Sequence, residues 1–258
     1  MKNSKLFYGF ALLFLAGVVL YIGSMVSNNM GFHWGKNHVG LSSNEIPMLQ
    51  DSVAIPEVVS LSSEGNCDVE IIASDVNRVV FYYDKEYYNN LSKVEGKELS
   101  IDFESKKHIT FGWNNAPGIQ VKVYSKSLVS ISQNGVGDMS SKDTLVGNTL
   151  ALDNEGIGSM QFAVHVNTID ISNGGVGSIE VSGSASQADI KNEGTGSIDA
   201  IHLQNKIAKV SNSGVGSVDV NATETLDLSN SGVGNITYTG SAVINNMQSD
   251  GVGTISKQ

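Results

Sequence analysis

The chain has 258 residues, 28 of them glycine and 3 proline, with 40% hydrophobic and 16% charged residues and a formal net charge of -10. Low charge and abundant β-branched residues argue against disorder, and glycines without a three-residue period exclude collagen. Arg78 is the sole arginine, which argues against a nucleic-acid binder, and Cys67 the sole cysteine, which excludes an intramolecular disulfide or a thiolate zinc cluster.

Leu6 to Val26 (LFYGFALLFLAGVVLYIGSMV) is an uncharged run of 21 residues. That is long enough for the roughly 20-residue crossing of a bilayer core. Lys2 and Lys5 precede it and the next lysine is Lys36. This bias predicts a cytoplasmic amino terminus (1–5), a signal anchor (6–26) and an exported remainder. A cleaved signal peptide is the alternative, although its apolar stretch is usually about 7–15 residues with a small-x-small exit, and GSMVSNN offers no clean one. Residues 27–56 show no periodicity and read as a tether, with His33 and His38 solvated rather than metal-bound.

From Val58 to Val129 the segments CDVEIIA, RVVFYYD, KELSIDF and IQVKVYS alternate as strands, with a turn at Glu95-Gly96-Lys97. They are expected to supply irregular capping coils over 57–128. Phe81, Tyr82, Tyr83, Tyr87 and Tyr88 cluster here, either as a buried cap or as a binding patch.

A Gly-x-Gly step then recurs seven times. The pairs are Gly135 and Gly137, Gly156 and Gly158, Gly175 and Gly177, Gly194 and Gly196, Gly214 and Gly216, Gly232 and Gly234, and Gly251 and Gly253. Their spacings are 21, 19, 19, 20, 18 and 19 residues. Aligned on the first glycine, the position four before it holds Ile131, Leu152, Ile171, Ile190, Val210, Leu228 and Met247. The position four after it holds Met139, Met160, Ile179, Ile198, Val218, Ile236 and Ile255. Polar residues alternate with these columns, so strands with one buried face flank a glycine corner. Stacking such units at about 4.8 Å gives an all-β fold, a single parallel β-helix over 57–258 with seven rungs in 129–258. The preference of parallel crossovers makes it right-handed. Two residues before each corner stand Gln133, Asn154, Asn173, Asn192, Asn212, Asn230 and Ser249. Alternation points them inward, where stacked amides bond from rung to rung as a structural asparagine ladder. The glycines serve a corner too tight for a Cβ.

The repeated N-x-G-[VIT]-G-[SN]-[IV] step, preceded by CDVEI and KELSI, resembles the auto-transporter adhesin "head GIN domain" family over roughly residues 57–258. The resemblance implies a β-helical envelope or surface protein with a role in adhesion and no catalytic residues to carry over.

Parallel β-helices also carry polysaccharide lyases, which use carboxylate clusters, calcium or a basic residue. Glu180, Asp199 and Asp219 form one outward column, and Asp170, Asp189 and Asp227, interrupted by Lys209, form another. A solvated acidic face accounts for them better than a cation site. His165 and His202 occupy different rung offsets, and no catalytic motif is present. The reading is therefore a non-enzyme without metal or cofactor, placed in the cell envelope with its carboxy-terminal domain outside the cytoplasm. Its expected contacts are the membrane, through the amino-terminal helix, and an envelope protein or glycan. Self-association end to end or side by side is a further expectation. Two functions remain open, a binding module or a structural or stress-signalling module of the envelope.

Overall fold

The computed structural model describes residues 49–106 and 118–258. The expected cytoplasmic terminus, the membrane segment over 6–26 and the tether up to residue 48 lie outside the described residues. Among the described residues every regular element is a strand, and no helix is long and apolar enough to cross a membrane.

The amino-terminal strands are β1 (Leu49–Ala54), β2 (Ser60–Ser63), β3 (Asp68–Ile72), β4 (Arg78–Tyr83), β5 (Tyr88–Asn90), β6 (Lys93–Glu95), β7 (Glu98–Ile101), β8 (Phe103–Ser105) and β9 (Gln120–Tyr124). The repeat region holds β10 (Ser130–Gln133), β11 (Met139–Ser141), β12 (Leu145–Val146), β13 (Thr149–Asn154), β14 (Met160–Asn173), β15 (Ile179–Asn192), β16 (Ile198–Asn212), β17 (Val218–Asn230), β18 (Ile236–Thr239), β19 (Val243–Ser249) and β20 (Ile255–Lys257).

These repeats form a parallel β-solenoid in the expected register. Met160 pairs with Ile179, Ile179 with Ile198, and Ile198 with Val218, so each apolar column becomes a continuous inward ladder. The column before the corner is buried from Ile131 to Leu228, and the column after it from Met139 to Ile236. Only the last rung departs, with Met247 exposed and Ile255 half-buried. Burying each such side chain contributes about 1.5–3 kcal/mol, which makes these ladders the main stabilising feature of the stack.

In the middle rungs the two short strands expected around each corner run together. β14 to β17 each extend from one glycine corner to the next as a strand of 13–15 residues. The chain still turns within them. In β14 both Val166 and Ile169 are buried, three residues apart, so the inward phase shifts at a second bend that needs no glycine.

The glycine corners are tight because adjacent corners nearly touch. The second glycine of every step, from Gly137 and Gly158 through to Gly253, has a φ between +138° and +148°, which side chains rarely adopt. A Cβ on Gly196 would in addition lie 1.8 Å from the Gly177 carbonyl oxygen, and one on Gly158 would lie 1.8 Å from that of Gly137. Even on Gly253, in the last rung, it would come within 2.0 Å of the Gly234 carbonyl oxygen. The corner backbone is satisfied along the stack: the Val176 N–H donates to the Gly156 carbonyl at 2.8 Å, and the Gly177 N–H donates to the Thr195 carbonyl at 3.0 Å.

Three features upstream differ from the sequence expectation. First, residues 60–72 form a regular rung, not an irregular coil. Leu61 pairs with Ile131, Ser63 with Gln133, Asn66 with Val136, and Val69 with Met139. Here Gly65-Asn66-Cys67 stands where the other rungs have Gly-x-Gly. Second, stacking order departs from chain order. β7 and β9 pair with β2 and β3 on the side away from β10 and β11. The chain then crosses back over this rung, held by the Ser125 N–H to the Ile72 carbonyl (3.1 Å) and the Val129 N–H to the Val59 carbonyl (2.8 Å). Third, part of the supposed tether is sheet: Leu49–Ala54 pairs antiparallel with β4, which pairs antiparallel with β9. β6 covers the β7 edge through the hairpin at Gly96, whose φ is +63°. These reversed strands cover edges that would otherwise offer unpaired backbone for aggregation.

Candidate binding surfaces

The asparagine ladder is inside, as its phase requires. Asn154, Asn173, Asn192, Asn212 and Asn230 are at most 1% exposed. Each Nδ2 donates to the Oδ1 one rung on: Asn154 to Asn173 (3.0 Å), Asn173 to Asn192 (2.9 Å), Asn192 to Asn212 (3.0 Å) and Asn212 to Asn230 (3.3 Å). In four of the five, Nδ2 also reaches the corner of its own rung: Asn154 to the Gly158 carbonyl (3.3 Å), Asn173 to the Gly177 carbonyl (3.3 Å), Asn212 to the Gly216 carbonyl (3.0 Å) and Asn230 to the Gly234 carbonyl (2.8 Å). The amide therefore links adjacent rungs and pins its own corner, which explains why asparagine precedes the second glycine by four residues. Gln133 is one methylene longer and bonds only its corner, at the Gly137 carbonyl (2.9 Å). The chain of amides accordingly starts at Asn154, whose Oδ1 has no donor. The Nδ2 groups of the ladder bond within the stack, and all five asparagines are buried.

The outward columns carry little chemistry. Glu180, Asp199 and Asp219 are in register on β15, β16 and β17. In the other column Asp170 faces Asp189, and Lys209 lies between Asp189 and Asp227. No group of three metal-ligating side chains occurs among the described residues. His165 Nδ1 and Ser184 Oγ lie 2.6 Å apart on neighbouring rungs, with no carboxylate among the described residues orienting the imidazole. His202 is exposed on β16, away from that pair. Cys67 is buried beside Ser63, at 3.5 Å from its hydroxyl, and burial pushes the thiol up to about 11. It is an inert core residue rather than a nucleophile.

The aromatic cluster divides. Phe81, Tyr83 and Tyr88 are buried in the cap, with Phe103 packed edge-on against Phe81 (6.0 Å between centroids) and Tyr83 (5.2 Å). Burial raises the tyrosine hydroxyls of Tyr83 and Tyr88 above their usual range. Of the two alternatives, three of the five rings fit the buried cap, because alternation along β4 sends Phe81 and Tyr83 inward and Tyr88 is buried as well. Only Tyr82 and Tyr87 remain half-buried.

One outward column breaks the polar pattern. The central residue of each corner points out, giving a line of Val136, Ile157, Val176, Thr195, Val215, Val233 and Val252 joined by parallel bridges. Ile157 is 52% exposed, Val215 43% and Val233 49%. Six steps of about 4.8 Å make an apolar ridge roughly 29 Å long. It is flanked on one side by the polar line of Asn134, Glu155, Glu193, Ser213, Ser231 and Asp250, and on the other by Asp138, Asn235 and serines. The recurring [VIT] between the glycines was its signal in the sequence.

Residues 59–242 match the model of the family described as "Putative auto-transporter adhesin, head GIN domain". The chain belongs to that family. Three solved structures share the head GIN fold seen here. A "putative adhesin" from Bacteroides fragilis superposes with a TM-score of 0.73 at 23% identity, covering 82% of this chain and 97% of that one. A "putative adhesin" from Parabacteroides merdae gives 0.61 at 19% identity over 82% and 96% of the two chains. A "putative lipid binding protein" from Parabacteroides distasonis gives 0.59 at 22% identity over 81% and 96%. No curated protein matches.

Proposed function

We propose that this head GIN protein is a non-catalytic binding module displayed outside the cytoplasm in the cell envelope, with the 6–26 segment as its anchor. The observation that carries this function is the apolar ridge at the corners. Every other outward column of the repeat is dominated by polar residues, and the ridge is not needed to fill the core. A long exposed apolar line rimmed by polar residues is characteristic of a surface that meets a partner. Family membership supports the same function, since the family is named for adhesion. Among the described residues no carboxylate orients the imidazole of the His165–Ser184 pair, so the third group that nucleophilic chemistry uses is not assembled there.

The test is capture of cell-envelope extract by the purified full chain in mild detergent, wild type against the triple variant Ile157→Thr, Val215→Thr, Val233→Thr. Thr195 already occupies this column, so the replacements suit the rung. Capture is expected to fall about tenfold, a loss of roughly 1.4 kcal/mol. Equal capture by both proteins removes the ridge from the binding surface. No capture by either points instead to an envelope structural or signalling module.

A further inference from the structure

The outward face of the capping sheet differs chemically from the rest of this acidic chain. Four strands lie side by side there in the order β3, β9, β4, β1. Their registers align Glu70, Lys122, Val80 and Ser52 in one cross-strand row. Tyr124 and Arg78 are neighbours in the row on one side, and Asp68, Gln120, Tyr82 and Gln50 in the row on the other, where Asp68 is engaged by the Asp138 N–H at 3.0 Å. Val80 stands in the central row and is only 3% exposed.

The cations on this face are held in different ways. Lys122 meets Glu70 at 3.1 Å and lies 6.0 Å from the Tyr82 ring. Arg78 is exposed, and its guanidinium sits 4.0 Å over the Tyr124 ring. No carboxylate pairs with it among the described residues, although the chain carries 26 acidic residues against 16 basic ones. Stacking on an aromatic face fixes the plane of a guanidinium while leaving its N–H edge free for a bidentate acceptor. Along β4, Tyr82 is four residues from Arg78, about 13 Å at the strand rise. Between and beside them, Gln50, Ser52 and Gln120 present exposed hydrogen-bonding groups.

The geometry points to this face as a binding site for a carboxylate-bearing glycan: Arg78 takes the sugar carboxylate in a bidentate pair, Tyr124 positions the guanidinium, and Tyr82 supplies a ring for a sugar to stack on. An extended uronate polymer satisfies both ends at once, since it offers carboxylates at intervals and an apolar face on each ring. A planar carboxylate matches the guanidinium fork, and a charge-assisted pair of this kind is about twice as strong as a neutral one. The site lies on the cap, apart from the corner ridge. It rests on the binding function proposed above and assigns that function a ligand class.

The experiment measures binding of the full chain, in mild detergent, to immobilised polygalacturonate and to the same polymer with its carboxyl groups reduced. Wild-type protein is expected to be retained by the acidic polymer and to bind the reduced one about tenfold more weakly. Arg78→Gln and Tyr82→Ala should each weaken binding to the acidic polymer by a similar factor, with far-ultraviolet circular dichroism at the assay temperature showing both variants folded. Arg78→Lys should recover only part of the loss, because an ammonium cannot form the fork. No retention of wild type by polygalacturonate overturns the site, as does retention that Arg78→Gln leaves unchanged. If the site fails while envelope extract is still captured, the general binding function stands. If neither is bound, both fall.

Discussion

Replacing Asn192 by leucine tests the amide ladder at its middle, where it is bonded to a rung on each side. Asn192 is fully buried, accepts from Asn173 at 2.9 Å and donates to Asn212 at 3.0 Å. The substitution leaves the Asn212 Oδ1 without a donor inside the solenoid, a penalty of about 1–3 kcal/mol. The Asn173 amide loses one bond, worth about 1 kcal/mol, but keeps the Gly177 carbonyl at 3.3 Å. Leucine recovers about 1 kcal/mol of this by burying apolar surface, so the expected net loss is about 1–3 kcal/mol. For a domain of this size that corresponds to a fall in melting temperature of roughly 2–12 °C. Glu193→Gln is the control, because Glu193 is exposed and adjacent, and it should change the midpoint by under about 1 °C. Gln133→Ala is a second comparison and should cost less than Asn192→Leu, since Gln133 makes no rung-to-rung bond. The readout is thermal unfolding followed by far-ultraviolet circular dichroism on the full chain. Equal shifts for the Asn192 and Glu193 variants would refute both the inward phase and the ladder energetics.

Gly196→Ala places a methyl 1.8 Å from the Gly177 carbonyl oxygen at positive φ and should destabilise the stack by roughly 3 kcal/mol or more, whereas Gly96→Ala, with nothing within 4 Å, should cost only about 1 kcal/mol; urea midpoints distinguish the two. Cys67 should resist a thiol reagent at pH 8 until the chain is unfolded, because its thiol is buried and neutral. Burial holds that thiol at about 11 in the fold against an ordinary 9.0, so the unfolded chain ionises first and stability falls as pH rises from 9 toward 11. Cys67→Ala should therefore lose less stability over that interval than wild type, and parallel losses in a pH series of urea titrations would contradict the burial of the thiol.

The solenoid was legible because one weak signal recurred seven times, and alternation around it fixed which residues face inward. The same logic reaches Leu61 and Val69, which stand four residues before and after Gly65, but Cys67 in place of the second glycine hides this rung. Alternation in RVVFYYD also predicts that Phe81 and Tyr83 turn inward while Arg78 and Tyr82 turn out, whereas grouping the aromatics by their proximity in the chain conceals it. The stacking order was not legible. Pairing of β7 and β9 outside β2 and β3 is a long-range choice that leaves no local mark. β1 leaves as little trace: LQDSVA has no clean alternation, and it is a strand because β4 offers an open edge. The Arg78 face depends on that same antiparallel cap, so sequence alone could not bring Tyr124, Arg78 and Lys122 together.

Adhesion to another cell requires the binding module to be displayed at the cell surface, and labelling of intact cells shows whether it is. Antibodies against the folded domain are applied to living cells of the source organism before and after permeabilisation of the envelope. Display predicts equal labelling in both conditions, with the signal on unpermeabilised cells removed by external protease. Labelling that appears only after permeabilisation would contradict it, since a domain enclosed within the envelope cannot reach material on another cell.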